Sequence, residues 1–237
     1  MAFPQVVAVN GGNHADATEH PVNLPADISA GDLLLVFFSA DSIPTITFPG
    51  GWTQLFQATV DTYIVSGAWY RIADGAEGLT IAVITSEGQA SAHTSYRITG
   101  YTGAPEIAFN TGYTSKPDPP SLTPTWGAKD TLWFASCGYE IGTTTVSAYP
   151  ASYTNGRNDR YDAGTGVCVG TARRELNAIS ENPGTFTISL AGRCLNSTTA
   201  IQPEPPPSWT GKVMGITNPA KVMGIDVANI AKVHGVA

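Results

Sequence analysis

Hydrophobic and polar residues alternate along most of the chain in short runs, and the runs are cut by Gly, Pro, Asn and Asp. Period-two patterning marks β-strands, because successive side chains of a strand point to opposite faces. It predicts strands at 5–9, 33–39, 45–48, 52–59, 63–72, 80–85 and 91–99, and again at 107–110, 131–137, 143–148, 166–173, 185–190 and 195–201. The apolar run Leu33 to Phe38 is far shorter than the 18 or more residues that would cross a bilayer, and reads as a buried strand. Turns fall at Pro49-Gly50-Gly51, Asp74-Gly75, Asn155-Gly156 and Asn182-Pro183-Gly184. Short strands between regularly spaced turns predict an all-β protein, a β-sandwich or jelly roll. The segment 172–179, ARRELNAI, is the one stretch with helical character, too short to change the class.

The strand pattern occurs twice. Residues 20–37, HPVNLPADISAGDLLLVF, match 118–135, DPPSLTPTWGAKDTLWFA, without a gap at an offset of 98, and Leu24, Ala30, Asp32 and Leu34 fall on Leu122, Ala128, Asp130 and Leu132. FPGGWT at 48–53 lies over YPASYT at 149–154 at an offset of 101, and Arg71 falls opposite Arg173 at 102. The drift in offset is that of a duplicated β unit with small loop insertions. The chain therefore divides into a first unit at 1–104, a second at 105–202 and a proline-rich linker at 203–207. Whether the units share one sandwich is left open by the sequence. A tail at 208–237 carries three Lys-Val-x-Gly-aliphatic repeats, beginning at Lys212, Lys221 and Lys232. None of these could bury its apolar residues alone.

Charge separates body from tail. The chain carries a formal −7; three lysines against Asp226 make the tail +2 and leave −9 on residues 1–207. An acidic body gives no reason to collect on nucleic acid or anionic lipid. The first residues lack the charged and apolar regions of a secretory signal, so synthesis in a cytoplasm is expected. Cys137, Cys168 and Cys194 are odd in number and lack CxxC spacing, which suits reduced, buried thiols.

Motif chemistry is sparse. The GxSxG, GxxxxGK[ST] and GxGxxG patterns are missing, and the four histidines form neither HxH nor HExxH. No cofactor is expected, and the chain reads as a non-enzyme. The polar cluster from Asn13 to His20 could supply imidazole and carboxylate ligands, but its spacing fits no established metal motif and a solvated hairpin loop accounts for it. A second cluster at 155–162, NGRNDRYD, is read as a loop between strands. Its Arg157, Asp159, Arg160 and Tyr161 suit contacts with a glycan or partner, or neutralise one another at the surface. Arg173 and Arg174 are adjacent on a strand, so one of them points inward and needs a carboxylate partner. Trp52, Trp69, Trp126 and Trp133 belong by default to the core. Trp209 begins the tail and is an interface anchor candidate. It heads a partner-binding set of Lys212, Val213, Met214, Ile216, Lys221, Val222, Met223, Ile225, Ile230, Lys232, Val233 and Val236.

The segments GDLLLVFF, PGGWTQL, YRIADG, DPPSLTPTWGAKDTLWFA, AYPASYTNG, ARREL and SENPGTFTIS together resemble a family of uncharacterised β-rich proteins of tailed bacteriophages, over residues 20–202. The terminal Lys-Val-x-Gly repeats are similar to those that end various phage head and tail proteins. The resemblance implies a place in a virion assembled in the host cytoplasm, with capsid or tail subunits as partners and a homo-oligomer as the assembled form. It carries no catalytic residues. The expected function is that of a capsid decoration or head-fibre protein anchored through its tail. The alternative is a tail or baseplate adhesin that recognises host-surface carbohydrate, and no membrane or nucleic-acid partner is expected.

Overall fold

A computed structural model describes residues 2–163 and 166–206, and beyond them the backbone at 212–213, 216–217, 221–222 and 225–226. Among the described residues there is no helix. The first half forms β1 (Gln5–Asn23), β2 (Leu33–Asp41), β3 (Ile46–Thr47), β4 (Thr53–Val60), β5 (Ile64–Ile72) and β6 (Thr80–Thr99). The second forms β7 (Glu106–Thr114), β8 (Lys129–Glu140), β9 (Val146–Ala148), β10 (Thr154–Arg160), β11 (Val167–Ala178), β12 (Thr187–Ile188) and β13 (Gly192–Ile201). Each half builds its own antiparallel sheet, in the orders β1-β6-β2-β5-β4 and β10-β11-β8-β13-β7.

The two sheets pack face to face over a single core to which both contribute. Leu33, Leu35, Phe37 and Ile98 from one sheet meet Leu132, Phe134, Val169 and Leu195 from the other. The units thus share one sandwich. The outer faces are covered as well, which explains why β2 reads as an uninterrupted apolar run: strands buried on both faces lose their alternation. Leu34, Val36 and Phe38 pack outward with Val22, Leu24, Ile46 and Trp69. Trp133, Cys137 and Tyr139 of β8 pack outward with Tyr153, Phe186 and Ile188.

The duplication is visible in the topology. Written from β7, the second sheet runs β7-β13-β8-β11-β10, the order of the first. The short β3 pairs with the beginning of β6, and β9 pairs with β12, so one long strand of the first unit corresponds to two of the second. Both edge strands carry an irregularity at the same point, after Gln54 in β4 and after Thr154 in β10.

The ladders correct the sequence alignment. Leu34 faces outward and Leu132 inward, so the ungapped match at 98 superposes opposite faces. Since the side-chain period is two, a shift of one residue exchanges the faces. Matching the ladders places Leu35 on Phe134, Tyr70 on Arg173 and Tyr96 on Thr199. Arg71 then corresponds to Arg174 and not to Arg173. Two further expectations change: the clusters 13–20 and 155–160, read as loops, are strand, because edge strands tolerate polar side chains on their open face.

Candidate functional site

The edge where β10 lies beside β1 gathers most of the charged residues singled out from sequence. On β10, Arg157 and Asp159 share the face turned toward the first sheet. Arg157 grips the Asp159 carboxylate through Nε (3.1 Å) and Nη2 (2.7 Å). The Thr94 hydroxyl of β6 donates to the same carboxylate at 2.6 Å, so the group ties one sheet to the other. Arg160 points the other way, donating to the Gly142 carbonyl and to Asp162 at 2.9 Å. Tyr161 follows the strand, its amide donating to the Val167 carbonyl. The four residues expected to converge on a ligand are thus divided between two faces, and the three charged ones are engaged with their neighbours.

Arg173 and Arg174 separate as expected of adjacent strand residues. Arg174 faces outward and meets Glu181 at 3.0 Å. Arg173 sits opposite Phe134 of the shared core and points into the sandwich edge. Among the described residues its guanidinium meets no carboxylate, against expectation, and a cleft of about 430 Å³ opens beside it. Gln5, Ser152, Thr154, Asn155 and Glu175 line that cleft with it, together with Arg174 and the apolar Val6 and Leu132. An adjoining hollow of about 230 Å³, lined by Val9, Tyr96, Gly156 and Arg157, shares Asn155 and Arg173. Burial lowers the proton affinity of Arg173 from its usual value, with the Tyr96 and Glu175 side chains acting in the opposite sense. Sequence reasoning flagged Arg173 only as structural and held Asn155 within the cluster 155–162 without singling it out.

The other candidates are structural. His20 is fully buried, with Nε2 at 2.9 Å from the Thr85 hydroxyl and Nδ1 at 2.8 Å from that of Ser91. His93 Nε2 accepts the Asn23 amide at 3.0 Å, which fixes that nitrogen as unprotonated. Burial holds both imidazoles down at about 4. Among the described residues no group of three or more His, Cys, Asp or Glu side chains is placed to hold a metal. The three cysteines are buried and free, and burial pushes each thiol up. Trp69 and Trp133 are buried, and Trp52 and Trp126 pack half-buried at the outer cores.

In the tail, β14 (Lys212–Val213) pairs with β15 (Ile216–Thr217), and β16 (Lys221–Val222) pairs with β17 (Ile225–Asp226), both antiparallel. The first two repeats are therefore each a minimal hairpin. Trp209, Met214, Met223, Ile230, Lys232, Val233 and Val236 lie outside the described residues. At the head of the linker the chain is pinned to the turn between units: Thr102 donates to Gln202, Glu204 donates to Gly100, and Pro203 bridges Tyr101.

No family model, curated protein or solved structure matches this chain. The fold itself defines an all-β sandwich of two repeated sheets, followed by short hairpin repeats.

Proposed function

We propose that the chain is a non-enzymatic structural component of a virus particle, in which the sandwich is displayed and the Lys-Val-x-Gly repeats dock on a neighbouring subunit. The observation that carries this reading is that the repeat is a structural unit, since two successive copies each pair as their own hairpin. Hairpins of two-residue strands have almost no stability in isolation and need a surface to lie on. Each Val, Ile or Met buried there contributes about 1.5–3 kcal/mol gross, reduced by ordering costs. Successive units on one chain, and several chains in a symmetric shell, turn weak contacts into avidity. Among the described residues, the three cores of the body draw on positions 6–201. The likeness of residues 20–202 to phage virion proteins supports a capsid or tail subunit as the partner.

The test compares the full chain with a chain ending at residue 206. The truncated protein is expected to keep the strand signature and melting temperature of the body and to be missing from purified particles by mass spectrometry. Incorporation at the level of the full chain would overturn the docking role.

A further inference from the structure

Comparison of the two repeats isolates one position. Tyr70 faces Leu35 across its ladder and packs on the shared core; Arg173 faces Phe134 at the corresponding place. The outward arginines next to them are equivalent and equally satisfied, Arg71 by Asp74 (2.6 Å) and Glu77 (3.1 Å), Arg174 by Glu181 (3.0 Å). Of these, Arg173 alone lacks an ion pair among the described residues.

The surroundings differ in the same sense. At the β4–β7 edge, Phe56 stacks on Phe109 with ring centroids 4.8 Å apart and fills the gap between sheets. Their counterparts at the β10–β1 edge are Arg157 and Gly11, where the Asp159 carboxylate takes the space beside the glycine, and farther along the same edge a cleft opens beside Arg173. The second repeat has exchanged an aromatic seal for a polar contact, and its neighbouring hollow carries Arg173 in the wall. A half-buried guanidinium with no carboxylate at ion-pair distance, Glu175 acting on it only from farther off, is costly, and its planar fork suits an oxyanion. The rest of the lining adds Arg174, whose guanidinium is held by Glu181, the apolar Val6 and Leu132 at the floor of the sandwich edge, and hydroxyl and amide groups from Thr154, Ser152, Asn155 and Gln5, with Glu175 accepting from Gln5 at 3.1 Å. Asn155 is held at φ +52 with its amide donating to Thr154, which presents both side chains at the mouth. The space suits a small ring, and small-ligand clefts begin at about 300 Å³. A body of net −9 repels an extended polyanion, so nucleic acid does not fit.

We propose that this cleft binds an acidic sugar, a hexose-sized ring whose carboxylate or phosphate seats on Arg173 while its hydroxyls meet Thr154, Asn155 and Gln5. The site is independent of the tail and its docking.

Isothermal titration of the full chain with D-glucuronate, D-glucose 6-phosphate, D-glucose and inorganic phosphate tests it. One or both acidic sugars are expected to bind at least about tenfold more tightly than glucose, and which one does so tells carboxylate from phosphate. Arg173→Ala is expected to abolish binding, and so is Arg173→Tyr, which installs the residue of the first repeat and whose melting curve reports that the sandwich is intact. Arg71→Ala, which removes the equivalent outward arginine of the first repeat and lies outside the cleft, is expected to bind like the parent. Inorganic phosphate binding as tightly as the sugar phosphate, undiminished binding by a folded Arg173→Tyr, or no binding of either acidic sugar at millimolar concentration would each overturn the assignment.

Discussion

Gly11 on β1 sits directly against the carboxylate of Asp159 on β10: a Cβ at Gly11 would lie 2.6 Å from the carboxylate carbon and from both of its oxygens. The glycine is needed for space, because the carboxylate is pinned by Thr94 and by two bonds from Arg157 and has nowhere to retreat.

Gly11→Ala is therefore expected to break this inter-sheet tie. Displacing Asp159 leaves Arg157 without its partner, at a cost of about 1–3 kcal/mol, which for a domain of this size lowers the melting temperature by several degrees. Thermal denaturation checks it, and the double variant Gly11→Ala, Asp159→Ala should lose much less than the sum of the two single changes. Full additivity would mean that the two residues act separately.

Acid should destabilise the body before its carboxylates titrate. His20 and His93 are held near 4 in the fold, first by burial, then by His14 for the one and by Arg157 and His20 for the other. Unfolded histidine titrates near 6.5, so the unfolded chain takes up protons that the fold refuses. The stability is whole above about pH 6.5 and is lost as the pH falls from there toward 4, amounting to a few kcal/mol. Melting temperatures measured from pH 7.5 to 4.5 should fall through this window, and His93→Gln should flatten the slope. A melting temperature constant from pH 7 to 5 would refute the assignment.

The thiols should be silent in the native state. Cys168 is pushed up to about 12, and burial raises Cys137 and Cys194 as well. With so little thiolate, an aromatic disulfide reagent at pH 8 is expected to find no reactive cysteine in the folded chain and three after denaturation. Rapid reaction of any one of them under native conditions would show that its cover opens.

The strand positions were legible because alternation is written along the backbone and needs no knowledge of the partner strand. Most predicted strands reappear, and the largest misses fall on edge strands: the second part of β1 and all of β10 are rich in Asn, Asp, Arg and His, the composition of loops. On interior strands, 86–90 belongs to β6, and the stretch at 172–179 with helical character is strand to Ala178, held by its ladder with β8. The duplication was legible too, but its register was not. Aligning identical residues put Arg71 on Arg173 and hid the exchange of Tyr70 for Arg173, the residue beside the cleft. The expected loop site at Arg157, Asp159, Arg160 and Tyr161 dissolved because strand alternation sends neighbours to opposite faces.

By itself the sequence determined an all-β chain of two related units, a proline-rich exit and a repeated tail, since these follow from local periodicity and local recurrence. Tertiary structure alone decided which face of each strand is inside and which charges meet. Thr94 and Asp159 stand 65 residues apart, and Gln5 reaches Glu175 across 170. Such meetings depend on the packing of one sheet on the other, and a single residue of register, invisible to periodicity, exchanges every inward side chain for an outward one.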